Sequence, residues 1–219
     1  MAEWRGLLVD WGGVLTSNVF DSFAAFCGAE GLDPGAVRDA FRGDPAARQL
    51  LVDLETGTLA ESEFERRMCA ALGLAGDRAI GLIERMFGSM RPDETMIATV
   101  AAARGAGVRT GLISNSWGAR GYDQALLDEL FDGVVISGQE GMRKPDPRMY
   151  ALGAERIGLP PKACVYVVVL PGNLKPAREI GMATVHHVRA SDTLGELEGL
   201  LGVSLNARSA RAAQRSGPR

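Results

Sequence analysis

Gly6-Leu7-Leu8-Val9-Asp10-Trp11-Gly12-Gly13 places a short apolar run ahead of a carboxylate and a pair of glycines. A run this short and this apolar reads as a strand buried on both faces, as in the interior of a parallel sheet. The glycines let the backbone turn sharply and let a ligand approach Asp10 at the strand's carboxyl end. Alone the pattern is weak, because an aspartate that ends a strand is often a turn or helix cap. Outward from this stretch the same arrangement recurs. Residues 108–114, 133–137, 163–169 and 183–188 are further short apolar runs, and helical patterns at 93–104, 146–157 and 174–180 separate them. Strand alternating with helix predicts an α/β domain with a mostly parallel sheet and helices on both faces. Ligands of such sheets bind beyond the carboxyl ends of the strands.

The first run does not lead straight to the second. Residues 17–90 intervene with helical periodicity, little strand signal and breakers at Gly31, Asp33-Pro34, Asp44-Pro45, Gly57 and Gly73. Such an insertion is far longer than an ordinary connection, so an all-helical cap over the strand ends is expected. The expected organisation is a core of residues 1–16 and 91–204, a cap of 17–90 and a basic tail of 205–219. That tail carries Arg208, Arg211, Arg215 and Arg219 without an acid and without apolar residues to bury, so it reads as a solvated terminus.

Composition bounds the partners. With 46% hydrophobic and 23% charged residues and a formal net charge of -3, the chain is an ordinary globular protein with no bias toward nucleic acid. Cys27, Cys69 and Cys164 are far apart and odd in number, which fits neither a disulfide framework nor a zinc site. No stretch approaches the ~20 apolar residues of a membrane helix, and no charged-then-apolar leader opens the chain. A cytoplasmic protein with a small-molecule partner, and neither nucleic acid nor membrane, is expected. Nothing in the sequence indicates an oligomeric state.

Four elements end at one edge of the expected sheet. Asp10 closes the first run. Ser114-Asn115-Ser116 closes the second and offers a hydroxyl and an amide to anionic oxygen. Arg143-Lys144-Pro145-Asp146-Pro147 sets a lysine ahead of two prolines that stiffen the chain just before a helix, where it could neutralise a carboxylate and an anionic ligand together. Leu170-Pro171-Gly172-Asn173 follows the fourth run.

Across nearly all of residues 5–200 this order resembles the haloacid dehalogenase-like (HAD) superfamily with a helical cap. It is most similar to the phosphatase-like group related to the amino-terminal domain of soluble epoxide hydrolase. Val9-Asp10-Trp11-Gly12-Gly13-Val14-Leu15-Thr16 matches the first motif, Leu112-Ile113-Ser114-Asn115 the second, Arg143-Lys144-Pro145-Asp146 the third, and residues 167–173 align with the fourth. The resemblance implies a Rossmann-like core, with Asp10 as nucleophile and Lys144 as charge-balancing partner. It implies substrate contacts from Gly12, Gly13, Ser114, Asn115 and Asn173. Two departures matter. Gly12 stands where the family has an acid/base aspartate, and Val168 and Val169 stand where it has acids that anchor Mg²⁺. Asp10 and the Gly12 backbone carbonyl are the remaining metal donors, with the Asn173 side chain beside them, so Mg²⁺ binding is expected to be weakened and no cofactor is assigned. Losing an acid/base group typically costs about two to four orders of magnitude in rate.

Three readings follow: a hydrolase with an altered Asp10 site acting on a small phosphorylated or carboxylated substrate, with weak or no ordinary Mg²⁺-dependent phosphatase activity; a pseudoenzyme or ligand-binding protein; or a metal-free or non-hydrolytic isomerase- or cyclase-type enzyme using Asp10. Elsewhere, His186 and His187 lie in the expected last strand, where at least one must face the core or a helix as a buried, hydrogen-bonded histidine, and Met86, Met90, Met142 and Met149 read as packing residues. Arg42, Arg48 and Arg120 could reach an anion or simply be solvated, and Trp117 is placed at the pocket mouth.

Overall fold

The structure, a computed structural model, describes residues 4–118 and 121–205. The strands are β1 (Gly6–Val9), β2 (Arg109–Ser114), β3 (Gly133–Ile136), β4 (Cys164–Val168) and β5 (Ala183–His186). They form one sheet in the order β3-β2-β1-β4-β5, with every neighbouring pair parallel. Central β1 pairs Gly6 with Arg109 on one side and with Cys164 on the other. The apolar runs read from the sequence all form strands. Their ends are trimmed, because Asp10 and Val169 leave the ladder and Ser137 already opens a helix.

Alternate side chains serve opposite faces. Leu7, Val9, Leu112, Val165, Val167 and Val185 pack with residues of α6 (Glu94–Gly105), α7 (Gln124–Leu130) and α11 (Ala190–Leu201). On the other face Leu8, Ile113, Val135, Tyr166 and Val168 meet α9 (Pro147–Arg156) and α10 (Leu174–Glu179). Aspartates set three of these helices: Asp93 accepts from Met96 N, Asp123 from Ala125 N and Asp146 from Arg148 N.

Between β1 and α6 lie α1 (Val19–Ala29), α2 (Ala36–Gly43), α3 (Pro45–Glu55), α4 (Glu61–Ala71) and α5 (Leu82–Phe87), which surround a core of their own built on Phe23, Phe26, Leu54, Phe64, Met68 and Met86. The chain enters and leaves this helical unit side by side. Ser17 N donates to Arg91 O at 2.7 Å, Asp93 N donates to Leu15 O at 2.9 Å, and Thr16 bridges Pro92 in antiparallel fashion.

A second junction forms where α3 ends. Gly57 adopts φ +73°, and a Cβ there would stand 2.5 Å from the carbonyl oxygen of Gly138 in α8 (Ser137–Glu140). Gly57→Ala therefore combines left-handed strain with a backbone clash. It is expected to cost about 2–3 kcal/mol, read as a lower midpoint in denaturant titration with an unchanged slope.

All three cysteines are free and buried. No helix among the described residues is long and apolar enough to cross a membrane. Arg120 and the basic stretch 206–219 lie outside the described residues.

Candidate functional site

Asp10 begins where β1 stops, yet its N–H still donates to Val167 O at 3.0 Å, so the sheet fixes its backbone. Its Oδ1 accepts from Trp11 N at 2.9 Å and lies 2.6 Å from Lys144 Nζ. Lys144 Nζ also donates to Ile113 O at 2.8 Å, and the side chain is only 2% exposed. Burial pulls this ammonium below its ordinary range, against the opposing attraction of Asp10. The sequence placed these two groups at one edge, and the structure joins them in a buried ion pair.

The remaining polar groups interlock around that pair. Ser114 Oγ shares a hydrogen bond of 2.8 Å with Tyr122 Oη, whose own ionisation burial pushes up. Asn115 lies in the site, but its amide is committed. Oδ1 accepts from Lys144 N at 2.8 Å, while Nδ2 donates to Lys144 O and to Glu55 Oε2, each at 3.2 Å. Glu55, the last residue of α3, also pairs with Arg143 Nε. Burial raises its carboxyl to about 7, although Arg143 and Lys144 pull it down.

The floor beside Asp10 is apolar. A Cβ on Gly12 would stand 2.9 Å from Val19 Cγ2, and one on Gly13 (φ +79°) would stand 2.9 Å from Val169 Cγ2. The glycines thus permit close packing by two valines, and the Gly13 N–H is given to Thr16 Oγ1 at 3.0 Å. Val168 is wholly buried in the core face beneath, and Asn173 lines the cleft. Mg²⁺ needs several hard oxygen donors. Among the described residues no three acidic, histidine or cysteine side chains gather as a metal site. One oxygen of Asp10 is already held by Lys144 and Trp11. The second Asp10 oxygen, the Gly12 carbonyl and the Asn173 side chain are the oxygen donors left beside it, with a single carboxylate among them.

Above the pair opens a cleft of about 1760 Å³, whose walls include Phe20, Phe41, Ile80 and Ile83 of the helical unit and Trp117 of the core. Trp117 is wedged among Phe23, Phe41, Phe64 and Phe87, with ring centroids 5.1–5.8 Å away. It therefore anchors the loop after β2 into the helical unit as well as lining the cleft. Arg42 lines the cleft too, whereas Arg48 donates to the carbonyls of Phe41 and Arg42. His187 is buried, shares a hydrogen bond of 2.9 Å with Thr193 Oγ1, and is held below its usual pKa by burial. His186 is exposed at the end of β5.

Glu55 and Tyr122 went unremarked in the sequence. The one available signal was a carboxylate at the end of a helix whose inward positions are Ala47, Leu50 and Leu54. Tyr122 carried none.

A sequence model of the haloacid dehalogenase-like hydrolases matches residues 4–167. The chain is 32% identical over 132 residues to bifunctional epoxide hydrolase 2 of Sus scrofa, covering 57% of this chain and 24% of that protein. It is 26% identical over 151 residues to a sesquiterpene phosphatase of Aspergillus oryzae, covering 68% of this chain and 77% of that one. The chain thus spans about a quarter of the pig relative's length. A solved structure described as a predicted HAD-like family hydrolase, from Porphyromonas gingivalis, superposes with a TM-score of 0.69. It has 22% identity and covers 93% of this chain and all of that one.

Proposed function

The chain belongs to the haloacid dehalogenase-like hydrolase family, and from that premise we propose that it is an atypical hydrolase whose Asp10 attacks a substrate with an anionic head and an apolar body, without ordinary dependence on Mg²⁺. The observation that carries this reading is the buried Asp10–Lys144 pair at the foot of an apolar cleft, with valines packed on both neighbouring glycines. An Asp10 oxygen attacks the electrophilic phosphorus or carbon and expels the leaving group as its anion, giving a covalent aspartyl intermediate that water then hydrolyses, returning the carboxylate. Lys144 offsets the negative charge that gathers as the head group approaches, a term on which phosphoryl transfer depends heavily. The Ser114 hydroxyl, held by Tyr122, is placed to donate to the head group. The helical unit acts as the cap, and its Phe20, Phe41 and Ile83 contact the apolar body. The phosphatase named among the relatives supports a phosphorylated head group for this chain.

Gly12 offers no proton to a leaving group, and a Cβ there would stand only 2.9 Å from Val19 Cγ2. Substrates whose leaving group departs without protonation are therefore favoured. The test is anion release from aryl and alkyl phosphoesters and 2-substituted acids of increasing apolar size, with Mg²⁺ or with chelator. The expected result is release that survives chelation and rises with leaving-group acidity and apolar size. Turnover at ordinary enzymic rates that requires Mg²⁺ would overturn the metal-independent reading. No release, with head-group binding retained, would make the protein a ligand-binding member of the family.

A further inference from the structure

Glu55 belongs to the helical unit, yet its carboxylate is buried among core loops. Only 6% of its side chain is exposed. Oε2 accepts from Asn115 Nδ2 at 3.2 Å and pairs with Arg143. Asn115 in turn closes on both backbone polar groups of Lys144, accepting from its N–H and donating to its carbonyl. The same glutamate is bound a second time through its backbone. Its carbonyl oxygen accepts from Ser137 Oγ, which itself accepts from Ser116 N at 2.9 Å. One residue of α3 is thus fastened to the loop after β2, to the start of α8 and to the segment carrying Lys144.

We propose that Glu55 is a positioning residue for the Asp10–Lys144 pair, fixing through Asn115 and Arg143 the backbone that aims Lys144 at Asp10 and so coupling the seating of α3 to the readiness of the site. This rests on the reading that the pair is the working centre. The charged and titratable groups facing Glu55 are Arg143 and Lys144, which favour its ionised form, and Asp10, which opposes it; Tyr122 also senses its charge. Burial outweighs the cations and raises the carboxyl to about 7, so the clamp gains its charge as pH rises through neutrality. An ionised acceptor holds the Asn115 amide and the Arg143 guanidinium more tightly than a neutral one.

The experiment follows the backbone amide resonances of Asn115 and Lys144 by NMR, and the affinity for inorganic phosphate, in the native protein, Glu55→Gln and Glu55→Ala from about pH 5 to pH 9. In the native protein both resonances are expected to move with a midpoint near 7. Glu55→Gln keeps an oxygen for Asn115 but has no proton to lose, so the transition disappears. Phosphate affinity above neutrality falls roughly tenfold in either variant, the effect of losing one charge-assisted contact. A transition that persists in Glu55→Gln, or a Lys144 amide at its native position in a folded Glu55→Ala, would overturn the proposal. If Glu55→Ala does not fold, the near-isosteric glutamine variant decides by the same resonances. Absence of phosphate binding in every form would count against Asp10–Lys144 as an anion site, while the amide transition would still judge Glu55.

Discussion

Asp10→Asn is expected to lower turnover by roughly a thousandfold or more on any substrate found, as removal of a nucleophile that acts as part of a unit does. The amide has nearly the shape of the carboxylate and retains an oxygen for Trp11 N, so the fold should hold. What it lacks is the anionic carboxylate oxygen that attacks to form the aspartyl intermediate, and the charge that stabilises Lys144. Burial already pulls Lys144 down. Without Asp10 beside it, the ammonium should release its proton at a lower pH still, which stops the variant from storing an unpaired buried charge. Initial rates with purified native and variant protein, with thermal melting as the control for folding, make the test. A variant that retains more than a tenth of native turnover would show that another group does the chemistry.

Lys144→Ala should act first on stability. It leaves Asp10 buried with only the Trp11 N–H, strips the Ile113 carbonyl of its donor, and opens a cavity under the cleft. Breaking a buried ion pair from one side costs about 3–5 kcal/mol. Chemical denaturation should therefore show a large drop in midpoint. Replacing both partners, Asp10→Asn with Lys144→Met, should recover much of that loss, because well-packed neutral groups tolerate burial where a lone charge does not. A double variant no more stable than Lys144→Ala would mean that packing of the lysine stem, rather than charge, dominates.

The sheet was legible because strands buried on both faces need unbroken apolar runs, and Leu7–Val9 and Val165–Val168 are such runs. Their ends were less so. Nothing in residues 163–169 says that the ladder stops at Val168, since that depends on where β5 stops pairing. Asp10, Ser114 and Lys144 could be placed by spacing alone, for each terminates or follows a strand at the same edge. Asn115 shows the limit of that logic. Its amide was read as an offer to a ligand, whereas in the fold it is taken up by the backbone of Lys144 and the carboxylate of Glu55. The glycines show it again: from the sequence they open space for a ligand, and in the fold they line the cleft while Val19 and Val169 stand where a Cβ on either would press. For Glu55 the local pattern offered only its place at the end of a helix with Ala47, Leu50 and Leu54 on the inward face. A carboxylate at the end of a helix is ordinarily solvated, and only the docking of α3 on the loop after β2 and the start of α8 encloses it.

The pairing of β1 bears on how this chain is made. Its partner on one side begins at Arg109 and on the other at Cys164, so the first strand of this sheet to be made waits longest for its neighbours. During synthesis the helical unit, whose contacts are local, can condense while β1 still presents open edges on both flanks. Contacts of such long sequence separation slow folding and prolong the exposure of apolar edges to other chains. Ribosome-bound chains halted before residue 164 should accordingly aggregate or recruit chaperones, and the slow step after release should be the insertion of β4 beside β1, on which the geometry around Asp10 depends through its hydrogen bond to Val167.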